Sequence, residues 1–250
     1  MSRDLDFVAL DRRHDLCPAA IALNDASWPT FLRHDPMSAR YGRAIYDVFP
    51  AHQIAAVDPS AGVVAIGNGV PVSWEEDADA LPDEGWDWAI ERAFDDIRRG
   101  RRPTVVCALS ISVAADRRGE GLGAAVLEAF RNAARSGGFG SVVAPVRPSL
   151  KTEEPSMPMA EYVERRDGEG SHADPWVRAH ERVGGQIVRI CPRSMLVAGS
   201  VADWSMWTGL SFPESGEYPV EGGLVPARID LDADRGSYVE PNVWMVHPLV

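Results

Sequence analysis

The sequence predicts one domain of mixed α/β class, a single sheet with helices interleaved along the chain. Three observations predict it. Residues 104–115, TVVCALSISVAA, are a long β-branched and apolar run, which reads as a buried strand. Residues 121–138, GLGAAVLEAFRNAARSGG, follow with Leu122, Val126, Leu127 and Phe130 on one helical face and a glycine pair as a stop. The element order β, αα, ββ, α, β, α, β, α, ββ then spreads strands and helices over the whole chain.

The elements are read in order. LDFVAL (5–10) is a first strand. Residues 18–49 have helical spacing broken at Pro29 and Pro36, hence two or three short helices. Residues 52–74 are two strands joined by the turn cluster DPSAG. An acidic segment with Glu75 and Glu76 leads through GWDW into a helix ending at Gly100, and Trp86 and Trp88 belong to its core face. SVVAPV (141–146) is a short buried strand, and MAEYVERR (159–166) a small helix. DPWVRAHERVGG (174–185) is a capped helix: Asp174 is the N-cap, Pro175 the first helical residue, and two glycines the stop. Trp176, Ala179 and Val183 share one face, with His180 beside it. QIVRICPRSMLVAG (186–199) is a strand pair or one bent strand, and short strands among Gly and Pro turns are expected to follow. DLDADRG (230–236) resembles a calcium loop but has Arg235 and Pro241 where Gly and Glu are needed, so it is a hairpin turn.

The 250 residues suffice for a sizeable core, and the net charge is -12 at pH 7. That balance argues against nucleic acid and anionic membranes as partners. Cys17, Cys107 and Cys191 are too few and too scattered for a disulfide framework or a metal cluster. The charged start MSRDLDFVAL lacks an apolar leader, and no 18-residue apolar run exists, so a cytoplasmic protein without a membrane span is expected.

VAADRRGEGLGAAVLEAF carries the chemistry. A strand ends at Ala115 and a helix begins near Leu122, with Gly119, Gly121 and Gly123 at the junction. Glycines let a ligand approach the backbone, and helix-start amides make a socket for phosphate, to which Arg117 or Arg118 can add a charge. It is not a nucleotide P-loop, which needs a Lys, nor a dinucleotide fingerprint, which needs another glycine order after a first strand. No G-x-S-x-G is present for serine hydrolysis.

DRRGEGLGAAVL resembles the acyl-CoA pyrophosphate loop of the GNAT superfamily of N-acetyltransferases: Arg118, Gly121 and Gly123 match its pattern, with Gly119 and Ala124 in the usual surroundings. The resemblance implies a mixed sheet splayed between two middle strands, with helices on both faces. It makes residues 1–250 a single such domain, with an inserted acidic loop and helix at about 75–102 and an extended part at 186–250. The pantetheine arm would lie along ALSIS (108–112) with SVVAPV opposite, and a backbone amide from Ile111 to Val113 would face the thioester oxygen. Leu122 and Ala124 would add amides to the phosphate socket.

From about Trp74 onward, GWDW, VRPSLK, DPWVRAHERVGG, PRSM, WTGLSFPESGEY and YVEPNVWM together resemble the GNAT-like loading domains of polyketide synthases and their free-standing relatives. Some of those decarboxylate malonyl thioesters and pass the acetyl group to a carrier thiol, using a hydroxyl residue and a histidine. The resemblance puts the histidine at His180 and the hydroxyl at Ser149, where the family has threonine. In many GNAT enzymes a tyrosine acid stands where His180 stands.

The expected function is acyl transfer from a thioester of coenzyme A, or of a carrier protein's phosphopantetheine, to an amine or thiol, in natural-product biosynthesis. No metal is expected, and the protein would be a monomer or homodimer. The partners are a small-molecule acceptor and, as a further candidate, an acyl carrier protein, for which Arg98 to Arg102 or Arg117 and Arg118 would supply a basic patch. The expected catalytic residues are His180, donating a proton to the departing thiolate, with Ser149 and Arg193. Two alternatives are decarboxylation, with Ser149 and Arg193 on the carboxylate, and thioester binding without turnover. Arg147, Lys151 and Thr152 stand near the sheet opening, and Glu75 or Glu76 is a candidate amine base.

Overall fold

The computed structural model describes residues 5–249; residues 1–4, part of the charged start MSRDLDFVAL, and Val250 lie outside them. The strands are β1 (Asp6–Ala9), β2 (Gln53–Asp58), β3 (Gly62–Val72), β4 (Val105–Val113), β5 (Ser141–Val146), β6 (Gln186–Gly199), β7 (Gly216–Tyr218), β8 (Ala227–Asp230) and β9 (Arg235–Pro248). The helices are α1 (Cys17–Ser27), α2 (Pro36–Tyr41), α3 (Ala44–Val48), α4 (Gly85–Arg99), α5 (Leu122–Ser136), α6 (Met159–Tyr162), α7 (Pro175–Arg182) and α8 (Val201–Thr208). The strands form one sheet in the order β1-β2-β3-β4-β5-β9-β8-β7, and β6 pairs with β9. Every pairing is antiparallel except β4 with β5.

Two core layers cover the sheet. Ile66, Val70 and Val72 of β3 join Ala20 of α1 and Ala89, Ile90 and Ala93 of α4 in one cluster. On the other side Phe130 and Ala134 of α5 pack with Val106, Val142, Val243 and Val177. The helix spacing therefore does what its period implies: each helix turns one apolar stripe to the sheet. Among the described residues no helix is long and apolar enough to cross a membrane.

The C-terminal part departs from expectation. β9 is one strand of 14 residues rather than several short ones. Residues 201–208 are helical, started by a capping box in which Ser200 Oγ accepts from Asp203 N–H and Asp203 Oδ2 accepts from Ser200 N–H. β6 is a single strand whose register against β9 shifts after Ile187 and after Cys191, so it is the bent strand and not the pair. The turn between Asp230 and Arg235 is a hairpin, with Asp234 at a positive φ of 44°.

One buried contact ties the α2 start to α4 and β6. The Asp35 carboxyl caps α2 through Ser38 N–H, and Asp87 of α4 accepts from Leu196 N–H. Asp35 Oδ2 and Asp87 Oδ1 are buried without a donor. A proton shared between the facing carboxyls satisfies both. Burial raises Asp35 to about 6, and burial with the neighbouring Asp35 charge raises Asp87 to about 9. Both folded values lie above the ordinary carboxylate value of about 4. The stabilisation is thus complete only below about pH 4 and is lost as pH rises through 6 and on to 9. Thermal denaturation across pH 5–9 should show a falling midpoint, and Asp87→Asn, which keeps an acceptor for Leu196 N–H and gains a donor for Asp35, should flatten that slope.

Candidate active site

The parallel contact of β4 with β5 consists of Val106 with Val142 and Cys107 with Val143, and goes no further. Beyond it the strands part. Ala108 to Val113 form one wall of the opening, and Ala144 to Arg147 the other. The result is a cavity of about 740 Å³, lined also by Arg118, Gly119 and Gly123, by Trp28, and by Ser149, Trp176 and His180.

Opposite β3, Asn68 faces Ser110 and Gly69 faces Ala108, so Leu109 is an extra residue in β4. The bulge reverses the strand's alternation. Leu109 enters the core beneath α1 with Cys107, yet the next side chain, Ser110, also reaches α1. Asn24 of α1 gathers this region: its Oδ1 accepts from Asn68 Nδ2 at 2.9 Å, Ser110 Oγ and Ser112 Oγ at 3.2 Å each, and Trp28 Nε1 at 3.4 Å.

Under α1, α2 and α3 lies a second cavity of about 300 Å³ that shares Trp28, Leu109 and Ser110 with the first. Its wall holds Asn24, Asp25, Tyr46 and Asn68, with Arg33, Arg40 and Arg43. Asp25 pairs with Arg43 at 3.2 Å. Tyr46 Oη and Asn68 Oδ1 are buried there without a hydrogen-bond partner.

The glycine loop takes the shape its composition implies. Gly119 (φ +82°) and Gly121 (φ +78°) are left-handed, and Gly121 caps α5. The first amides of α5 therefore have no helical acceptor. Gly123 lets Trp176 of α7 close on the helix start, since a Cβ there would lie 3.2 Å from its ring. The two arginines divide. Arg117 is buried against Asp58 (3.1 Å) and Glu120 (2.8 Å), whereas Arg118 lines the cavity and no described residue pairs with it. Leu122 turns into the core with Val126, and Gly121, Leu122 and Ala124 are outside the cavity wall.

Asp174 seats α7. Its carboxylate accepts from Trp176 N–H, Val177 N–H, Leu150 N–H, Tyr162 Oη–H and Ser149 Oγ–H. Burial would raise its pKa, but these donors outweigh it and hold the carboxyl below its ordinary value. Ser149 thus lines the cavity with its proton committed to Asp174.

His180 is 3% exposed and lines the cavity. Its Nδ1 lies 2.9 Å from Nε2 of His247 on β9, and the Trp176 ring stands edge-on at 4.6 Å. Burial, then the second ring, push His180 well below the ordinary histidine value, and burial takes His247 to about 4. Both rings are neutral at pH 7. This changes the expected chemistry: His180 is not a cationic acid titrating near neutrality but a neutral imidazole that can offer or accept a hydrogen bond.

Several expected residues are elsewhere. Arg193 pairs with Glu84 (2.5 Å) and Asp83 (3.4 Å), its side chain is 56% exposed, and it lines neither cavity. It follows the bend of β6, where the register shift turns it outward, so a role on a substrate carboxylate does not fit its place. Glu75 and Glu76 are exposed and line neither cavity. Lys151 is buried, donating to the carbonyls of Glu154 and Leu224. Arg147 reaches the cavity but is bound to Glu240 at 2.9 Å, which also accepts from Tyr238. Arg98, Arg99 and Arg101 are paired with Asp95 or Asp96. The residues that sequence reasoning missed are His247, Asn24, Asn68 and Trp28, which the tertiary fold and no local motif brings to the site.

No family model matches the chain. Arginine N-acetyltransferase avaD of Aspergillus versicolor is 36% identical over 250 residues, spanning 89% of this chain and 85% of that protein. Two solved structures share the fold at 18% identity: the loading GNATL domain of CurA from Lyngbya majuscula (TM-score 0.58, covering 98% of this chain and 97% of that one) and the GphF GNAT-like decarboxylase in complex with isobutyryl-CoA (TM-score 0.57, covering 98% and 99%).

Gly185 leaves the room that the His247 ring fills beside His180. A Cβ at this position would lie 2.6 Å from His247 Cε1 and 2.7 Å from the His180 carbonyl oxygen. Gly185→Ala should destabilise the protein by about 1–3 kcal/mol, as overpacking of a filled interior does, measured by urea denaturation.

Proposed function

The chain belongs to the GNAT superfamily and is an acyltransferase of that type, and from that premise we propose that it moves an acetyl group from coenzyme A to a nitrogen of arginine or of a small molecule with an arginine-like cation. The observation that carries this reading is the shared wall of the two cavities at Trp28, Leu109 and Ser110. A donor in the larger cavity and an acceptor in the smaller would meet at the β4 bulge. The name of the 36% identical relative supports arginine as acceptor. So does the chemistry of the smaller cavity: Tyr46 and Asn68 offer oxygens to a cation and Arg33 and Arg40 suit a carboxylate, while Asp25 and Arg43 hold each other.

The donor would place its pyrophosphate on the amides of Gly121 to Ala124 and on Arg118, and its pantetheine arm along the unpaired edge of β4. We place the oxyanion donor at the bulge, at Leu109 or Ser110, rather than at Ile111 to Val113, which lie nearer the glycine loop. The amine nitrogen attacks the thioester carbonyl, the C–N bond forms and the C–S bond breaks. Negative charge grows first on the carbonyl oxygen and then on sulfur. His180 donates a hydrogen bond from Nε2 to the departing sulfur, as a neutral imidazole can when its pKa is depressed. The proton that ends on sulfur is the one the attacking amine sheds.

Decarboxylation is less well served. Arg193 stands outside the cavity, Arg147 is neutralised by Glu240, and Ser149 is bound to Asp174. Free coenzyme A suits the surface better than an acidic carrier protein, because the basic run near Arg98 is paired with its own aspartates.

The test is to incubate the protein with acetyl-CoA and arginine, following free thiol and acetylated product by mass. Thiol release should require the arginine. Acetyl-CoA made from malonyl-CoA without any acceptor would overturn the transferase reading, and a thermal shift with acetyl-CoA but no turnover would favour a binding module. His180→Ala should lower kcat by about 100-fold, the size of one lost transition-state donor, and leave the Kd of coenzyme A within two-fold (roughly). Arg118→Ala should raise that Kd about tenfold, as a lost charge-assisted contact does. With both rings neutral, kcat/KM should show the amine's ionisation and no second one between about pH 6 and 8.

A further inference from the structure

His247 lies outside the cavity wall and touches no ligand space, yet it is fully buried and aimed at His180. Its backbone is held in the sheet opposite Val142 of β5, so the ring has a fixed origin. Two neutral imidazoles share one hydrogen bond here, and the direction of that bond decides what His180 shows to the cavity.

The direction follows from the far side of each ring. His247 Nδ1 is buried without a partner. An unsatisfied buried N–H is costlier and rarer than an unsatisfied lone pair. The charged group facing this ring is Arg131 of α5, whose Nε is likewise buried and unpartnered while its Nη1 holds Glu128. Its positive charge disfavours a second proton on the ring and keeps it neutral. The His247 proton therefore sits on Nε2 and is donated to His180 Nδ1. The His180 proton must then be on Nε2, which no described residue binds.

We infer that His247 is a positioning residue that fixes His180 as the Nε2–H tautomer, so that the donor cavity meets a hydrogen-bond donor and not a base. This rests on the reading of His180 as donor to the departing sulfur. The pair loses no proton in the reaction. The sulfur accepts a hydrogen bond from Nε2, takes its own proton from the amine, and the two rings return unchanged. Trp176 against one side of His180 and the absence of a side chain at Gly185 keep the geometry in place.

The test compares His247→Met, which keeps bulk but cannot donate, with His247→Gln, which keeps a donor N–H. Kinetics are measured with acetyl-CoA and arginine, and nitrogen NMR of the wild-type histidines reads the tautomer. His247→Met should lose about 10- to 100-fold in kcat with KM for acetyl-CoA unchanged, and His247→Gln should recover most of that loss. The His180 signals should show a protonated Nε2. A protonated Nδ1 on His180 overturns the inference whatever the kinetics. So does a His247→Met enzyme at full kcat beside an inactive His180→Ala. If His180→Ala is itself fully active, the sulfur-donor role fails, and the NMR result still decides the tautomer.

Discussion

The site depends on how briefly β4 and β5 are paired. Two residue pairs join them, at Val106 and Cys107, and then the strands diverge. A parallel pair normally continues until turn residues end it, because each further residue gains a ladder bond. Here β5 keeps its other neighbour, β9, through Val146, so it remains a strand while leaving β4. Pro145 fits this arrangement. A proline within a strand is tolerated where no ladder N–H is required, and on β5 the side without a ladder is the cleft. The bulge at Leu109 bends β4 at the same level. One local failure of pairing thus supplies both a slot for an extended ligand and backbone groups with nothing else to bind.

Burial decides the chemistry of what surrounds that slot. A histidine at the surface of α7 would titrate near neutrality and could serve as a cationic acid. With 3% exposure and a second imidazole at 2.9 Å, the charged form loses its water and gains an unfavourable neighbour. The ring is kept neutral, and its value lies in direction rather than charge. Asp174 shows the opposite balance at the other end of α7. It is also buried, but five donors converge on it, and the ionised form wins. The helix is anchored by an anion at its start, where the dipole favours one, and carries a neutral imidazole near its end.

The parts of this that the sequence made legible are those with local signatures. The glycine loop, the Asp174 cap and the strand of residues 104–115 each follow from neighbours within a few positions. Helix α8 also has such a signature, the Ser200 and Asp203 capping box, masked by the turn and strand residues around it. Other features have no local signal. A bulge is a mismatch between two strands, so Leu109 looks like any residue of an alternating run. His247 lies 67 residues beyond His180 on a strand whose full length the turn residues of the C-terminal part concealed. Arg193 was placed by motif alone, and a register shift in β6 carried it out to Asp83 and Glu84.

The charge of the chain poses a last problem: a protein of net charge -12 is asked to hold a polyanionic donor. Global charge cannot decide this, since exposed charges further apart than about 8–10 Å are screened at physiological salt. Local pairing decides it. Around the larger cavity most cations are spent on protein carboxylates, Arg117 on Asp58 and Glu120 and Arg147 on Glu240. Arg118 has no such partner among the described residues, and it sits beside the amides at the α5 start, where the helix dipole adds partial positive charge. The acidic surplus elsewhere then repels anions from most of the surface while one corner accepts them. A few unpaired groups within contact range thus outweigh a net charge that salt screens.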